Sequence, residues 1–252
     1  MGGLLHTELQ RSLWRRERQR LHLDDPGASD FCGDVFGFEP DPFVRLLVLP
    51  ADPESEVLEF NQDFWSLLET LPDPVHGGQA VWGSPERGRR VAMLARTTQK
   101  KCYQYLAVFR SGAVEMALGD FAMFECDGKR WFRLVTLVGN CWSALEACGL
   151  IAQRFGLPGP CQVTLALRGT KGASLSNVGQ GWEQRYEFAK CAENQLALVL
   201  ELAEPPVAQT AKDTAFLLGS RVEESFGCSD RRFLDREGPN PGEFAASSFR
   251  WG

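Results

Sequence analysis

Residues 102–118 constrain the fold more than any other stretch of this 252-residue chain. They read as a β-hairpin. Residues 103–110 are rich in aromatic and branched side chains, and 113–118 continue that pattern more weakly. Ser111-Gly112 supplies a two-residue loop, whose glycine takes positive φ without strain. Tyr103, Tyr105 and Phe109 point to one side of the first strand, Leu106 and Val108 to the other. A strand with apolar residues on both faces must be covered on both, so an inner strand is expected.

The rest of the chain supplies elements to cover it. Residues 4–22 read as an amphipathic helix with Leu5, Leu9, Leu13, Trp14 and Leu21 as its apolar stripe. Residues 24–42 read as a loop rich in Pro, Gly and Asp. Residues 43–49 form a short buried strand closed by Pro50. A helix is expected from about 52 to 71, with Pro53 and acids in its first turn and Val57, Phe60, Phe64, Trp65, Leu67 and Leu68 buried. Residues 79–83 and 91–96 suggest strands. A strand at 121–126 turns at Asp127-Gly128. A long helix lies within 130–155, most securely from Asn140, which can cap its start, and Gly156 with Pro158 ends it. Residues 161–167 and 196–202 alternate as strands. A helix over 207–226 faces Ala211, Ala215, Leu218 and Val222 inward and stops at Gly227. Residues 183–190 are ambiguous. The expected fold is therefore α+β, a mixed or mainly antiparallel sheet of about five to seven strands with three or four helices packed on it. The expected organisation is a basic amphipathic helix at 1–23, a single α+β domain at 24–227, and a tail at 228–252 that packs on the domain or on a partner.

Charge is segregated along the chain. Arg11, Arg15, Arg16, Arg18 and Arg20 make the first helix basic. Between Asp24 and Asp73 there are 13 acidic residues and one basic residue, Arg45. Residues 84–101 then carry Arg87, Arg89, Arg90, Arg96, Lys100 and Lys101 against Glu86. Blocks of this kind steer association with a charged partner. The candidate contact residues for nucleic acid or a partner are Arg11, Arg15, Arg16, Arg18, Arg87, Arg89, Arg90, Lys100 and Lys101. A net charge of −6 weighs against a general phosphate-binding surface.

Motifs for chemistry are weak. The eight cysteines, at 32, 102, 126, 141, 148, 161, 191 and 228, form no C-x-x-C pair, and most lie in apolar segments. They read as reduced, buried thiols in a cytoplasmic protein. No metal site and no cofactor is expected. His6, His22 and His76 are the only histidines, and none sits in a catalytic motif. The Gly-rich stretch 168–182 reads as a flexible surface loop. Gly169-Thr170-Lys171-Gly172 follows a strand and carries a base, as phosphate loops do, but lacks the full G-x-x-x-x-G-K-[ST] spacing. Glu115, Glu125 and Lys129 are the residues a nuclease would use at a sheet edge. No apolar run in the sequence approaches the roughly 20 residues of a membrane span, and no secretion signal is recognised.

The segments 43–50, 102–118 and 130–169 bear a family resemblance. Tyr105 to Glu115, then a helix ending in Phe155-Gly156, then Gly159-Pro160 and the strand to Leu167 with Gly169 and Gly172, resemble the region that follows the AlbA/Schlafen-type DNA-binding domain in many bacterial proteins. Their motifs are those of a hairpin, a helix and a strand, and they carry over no functional residue. The resemblance implies a role in prokaryotic regulation or anti-phage defence.

The function expected first is a non-catalytic binding or scaffold subunit of a bacterial cytoplasmic complex, with a protein partner or a second copy of itself and no membrane. The alternatives are nucleic-acid binding through the basic patches at 11–20 and 84–101, and a metal-dependent nuclease or hydrolase.

Overall fold

The computed structural model describes residues 2–20, 43–73, 82–89, 91–98, 101–119, 122–179 and 182–228. Its elements are α1 (Gly2–Arg20), β1 (Phe43–Leu49), α2 (Gln62–Glu69), β2 (Glu86–Arg87), β3 (Val91–Thr98), β4 (Lys101–Phe109), β5 (Val114–Leu118), β6 (Met123–Cys126), β7 (Lys129–Arg133), α3 (Leu134–Phe155), β8 (Cys161–Arg168), β9 (Ser174–Gly179), β10 (Trp182–Lys190), β11 (Gln195–Leu202) and α4 (Gln209–Ser225). The α+β expectation holds. Seven strands form an antiparallel sheet in the order β11-β8-β1-β5-β4-β3-β2. A second sheet runs β10-β9-β7-β6 and contains one parallel pairing, β7 with β9.

Two-residue periodicity assigns the two faces of the large sheet. Val44, Leu46 and Val48 point to the side carrying α2, α3 and α4, where they join Leu106, Val108, Val114, Met116, Leu118, Val163, Leu165 and Leu167 in the main core. Phe132 and Leu175 bring the small sheet into that same core. On the opposite face Leu47 and Leu49 pack with Trp14 of α1, while Tyr105, Ala107, Ala117 and Met93 form a separate cluster. The strand at the heart of the 102–118 stretch, β4, is inner and covered on both sides, as its composition requires. Its turn has three residues rather than two. The Phe109 N–H donates to the Ala113 carbonyl at 2.9 Å and the Gly112 N–H to the Phe109 carbonyl at 2.9 Å. Gly112 closes the turn at φ 84°, the three-residue loop with a left-handed glycine.

Several elements depart from the sequence reading. α1 docks on a different face from the expected stripe at Leu9, while Leu13 is half-buried and the Leu5 and Leu21 side chains lie outside the described residues. Leu9 is exposed; buried Trp14 and Glu17, with half-buried Gln10, face the sheet side instead. Trp14 Nε1 donates to the Pro50 carbonyl at 2.7 Å and Gln10 Nε2 to the Ala51 carbonyl at 3.1 Å. The helix expected from 52 begins only at Gln62. The N–H groups of Val57 and Leu58 both donate to the Arg110 carbonyl at 2.8 Å, which ties the preceding segment to the hairpin turn. Val57 is exposed. Asn61 then caps α2, its Oδ1 accepting from the Phe64 N–H at 3.1 Å. α3 starts six residues before Asn140, which lies inside the helix and bonds back to the Thr136 carbonyl at 2.7 Å. Its end is as expected, with Gly156 left-handed at φ 66°. At 22 residues, α3 is long and apolar enough to cross a bilayer, contrary to the sequence reading, but most of it is buried within the protein. Residues 24–42, 79–81 and 229–252, with the loop, strand and tail expected there, lie outside the described residues.

α3 and α4 meet at a polar joint. Ala208, just before α4, takes φ 44°, a positive value rare outside glycine. Glu146 of α3 accepts a hydrogen bond from the Ala208 backbone, and its Oε2 is buried without a partner among the described residues. Burial raises the Glu146 pKa, and the Ala208 hydrogen bond opposes that shift only in part. The folded chain therefore binds more protons than the unfolded chain between the ordinary glutamate pKa and the raised one. Stability falls as pH rises through that window. Glu146→Gln keeps an acceptor for Ala208 and removes the charge. We expect it to raise the thermal midpoint by a few degrees at most near neutral pH and to leave it unchanged in mild acid, as read by circular dichroism melts.

Candidate anion-binding cleft

The small sheet is built from short strands joined at glycines. Asp127 and Gly128 take φ 54° and 68°, and Cys126 pairs with Lys129 across them. This is the two-residue turn expected from Asp-Gly. It sets Glu125 of β6 opposite Arg130 of β7. After β8 the chain turns through Gly169 and Gly172, at φ 73° and 75°, into β9. Lys190 at the end of β10 pairs with Ser174 at the start of β9. Glu125, Gly128, Lys129, Arg130, Gly172, Ser174 and Lys190 line one cleft of about 340 Å³. All four strands of the sheet contribute to it.

The wall formed by the glycine loop is rigidly placed. The Arg130 guanidinium donates to the carbonyls of Gly169 at 3.1 Å and Lys171 at 2.6 Å. Buried Thr170 donates through its hydroxyl to the Glu193 carbonyl at 2.7 Å. The flexible surface loop expected at 168–182 is thus corrected: 169–173 is a short anchored turn, and 174–179 and 182–190 are strands. The comparison with phosphate loops also fails on geometry. The Gly172 N–H donates to the Cys191 carbonyl at 2.8 Å and the Ala173 N–H to the Thr170 carbonyl at 3.0 Å, so these amides are not aimed at a ligand. Any anion in the cleft is held by side chains. Lys129, Arg130 and Lys190 are exposed along its lining, Lys171 is exposed next to Gly172, and Glu125 is the one carboxylate. A positive locus thus sits on a chain of net charge −6.

Several described arginines of the basic blocks singled out by sequence have partners within the chain. Arg11 makes a bidentate pair with Glu201 of β11 at 2.9 and 3.0 Å, and Arg16 pairs with Glu54 at 3.2 Å. Arg15 is exposed. Arg87 lies over the Trp65 ring at 4.8 Å. Arg89 is exposed, and its carbonyl accepts from Arg110 Nε at 2.8 Å. The side chains of Arg18 and Lys101, and all of Arg90, Lys100 and His76, lie outside the described residues. Arg11 meets the sheet at β11 and Arg87 is on β2, at opposite edges. Six strand spacings separate those edges, about 29 Å. Acidic and basic stretches also neutralise each other within the chain: Asp73 holds Arg96 at 3.0 Å, and Ser143 Oγ donates to the same carboxylate at 2.7 Å.

The nuclease set is pulled apart. Glu125 and Lys129 line the cleft, but Glu115 is fully buried in the large sheet. Its Oε1 accepts from Arg45 Nε and Nη2 at 2.7 Å and from the Tyr105 hydroxyl at 2.9 Å. Glu115 holds the sheet together and does not face a substrate. Among the described residues no group of three or more His, Cys, Asp or Glu is arranged to hold a metal. Cys141, Cys148 and Cys161 are buried, and burial raises their thiol pKa values, for Cys161 to about 12. They are protonated at neutral pH and poor nucleophiles.

No family model, no curated protein and no solved structure matches this chain.

Proposed function

We propose that the protein is a non-catalytic binding subunit that holds an anionic group, phosphoryl or carboxylate, in the cleft of the small sheet. The observation that carries this reading is that the exposed Lys129 and Lys190 line one concavity with a single acid, Glu125, beside an Arg130 whose guanidinium is held by the Gly169 and Lys171 carbonyls. A lone carboxylate among cations offers no acid–base pair for hydrolysis, which favours capture over turnover. We retain a bacterial regulatory or anti-phage complex as the setting, on the resemblance of the hairpin, helix and strand segments. Nucleic-acid binding through residues 11–20 and 84–101 is the weaker reading. Arg11, Arg16 and Arg87 already have partners, and Arg11 and Arg87 sit at opposite edges of the sheet.

The test is calorimetric titration of the full chain with inorganic pyrophosphate, an acidic peptide and a single-stranded oligonucleotide. Lys190→Gln and Lys129→Gln should each weaken the binding by about tenfold or more, because a charge-assisted hydrogen bond is worth roughly 1.5–3 kcal/mol. Raising the salt should weaken it further. Binding to none of the three, or binding that survives both substitutions, would sink the proposal.

A further inference from the structure

We propose that the open edge of β11 is a self-association surface, on which a second copy of this chain lays its own β11 antiparallel and continues the large sheet. β11 is the terminal strand and is bonded over its eight residues, Gln195–Leu202, to β8 alone. Among the described residues nothing meets the N–H and C=O groups on its outer side. Natural edge strands carry lysine, proline or a bulge to repel such pairing. β11 has none of these: its register with β8 is unbroken, and six of its eight residues are apolar. Its apolar surface is incompletely covered on both faces. Ala197 and Val199 are exposed on one, Val199 at 45%. Leu198, Leu200 and Leu202 on the other pack against the core but stay half-buried. An added strand pairs the outer N–H and C=O groups and flanks the side chains of both faces, whereas a helix or loop packed on the sheet reaches one.

Charge placement selects a second copy as the occupant. Residues directly opposite in an antiparallel pair share a face. With Leu198 on the two-fold axis, Leu196 meets Leu200, Ala197 meets Val199, and Gln195 meets Glu201. Glu201 is the only charged residue of the strand. Self-pairing sets the two Glu201 side chains at opposite ends of the ladder, about 20 Å apart. Each then lies beside the partner copy's Gln195 amide, with its own Arg11 still bound. The interface is isologous and closed.

The experiment is light scattering and sedimentation of the full chain over a range of concentrations, with Val199→Lys as the variant. Val199 is exposed, so the lysine sits in water in the single chain, and far-UV circular dichroism should be unchanged. In the dimer two such lysines fall about 7 Å apart across the axis. We expect the wild-type chain at twice its mass, and at least tenfold weaker association for the variant. Amide hydrogen exchange over 195–202 should slow with concentration in the wild type and stay fast in the variant. A single mass at all concentrations, a dimer that Val199→Lys leaves intact, or a different chain paired with β11 in place of the second copy would each overturn the proposal.

Discussion

Gly149→Ala is expected to destabilise the protein by about 2–4 kcal/mol, against the direction that helix propensity alone predicts. In the middle of an exposed helix, replacing glycine by alanine stabilises by roughly 1 kcal/mol. Gly149 is in the middle of α3, but it is buried where the chain crosses from β11 to α4. A Cβ there would lie 1.9 Å from the Pro206 carbonyl oxygen and 2.7 Å from the Pro206 carbonyl carbon and from Val207 Cγ1. Two of those three atoms are backbone and cannot swing aside. Either α3 or the 203–208 crossing must move by roughly an ångström or more for ordinary van der Waals separation to return, which opens the contact between α3 and α4. Gly128→Ala is the control. Gly128 has φ 68°, and a methyl group added to it would meet nothing within 4 Å, so the substitution should cost only the backbone term, about 1 kcal/mol. Urea midpoints for the two variants check the difference. Equal midpoints would mean that the crossing over Gly149 is not a close one.

Arg45→Met should cost about 3–5 kcal/mol, because it leaves the Glu115 carboxylate buried without its cation. The pair is almost inaccessible to water, with side-chain exposures of 2% and 0%. Desolvation opposes such a pair, so the pair itself is worth far less than its disruption costs. Arg45→Met combined with Glu115→Gln should recover most of the loss, since glutamine still accepts the Tyr105 hydroxyl hydrogen bond. A double-mutant cycle followed by urea titration checks both statements. Additive losses in the cycle would show that the two side chains do not interact.

The parts of the fold that could be read from sequence are those set by local pattern. β4 is apolar on alternate faces, and Asp127-Gly128, Gly156 and Gly227 mark turns or helix ends through backbone that favours glycine. The four inward residues of α4, Ala211, Ala215, Leu218 and Val222, are all buried as their spacing requires. Local pattern misleads where a distant contact decides. Pro53 with nearby acids looks like a helix start, but the amides of Val57 and Leu58 bond to Arg110, over 50 residues away in sequence. Asn140 has the chemistry of a cap and is used to join α3 to Gln104 of β4. The cleft is hidden for a different reason. Glu125 and Lys129 stand out in the sequence only as parts of a nuclease set with Glu115, and Lys190 is a single base far along the chain that the pairing of β10 with β9 brings beside them, while the conspicuous arginine runs lie elsewhere. Arg45, alone in an acidic stretch, gives no sign in the sequence that it closes the sheet interior.

The position of β1 bears on how the chain is made. Val44 pairs with Leu118 on one side and Leu167 on the other. A ribosome adds roughly 5–20 residues per second. The strand therefore leaves the exit tunnel many seconds before its second neighbour has been translated. Until β5 emerges a nearly continuous apolar segment has neither ladder available, from then until β8 emerges it has only one, and non-local pairing of this kind is slow even in the finished chain. Nascent-chain capture by a holdase should thus peak at lengths where β1 has emerged and β8 has not.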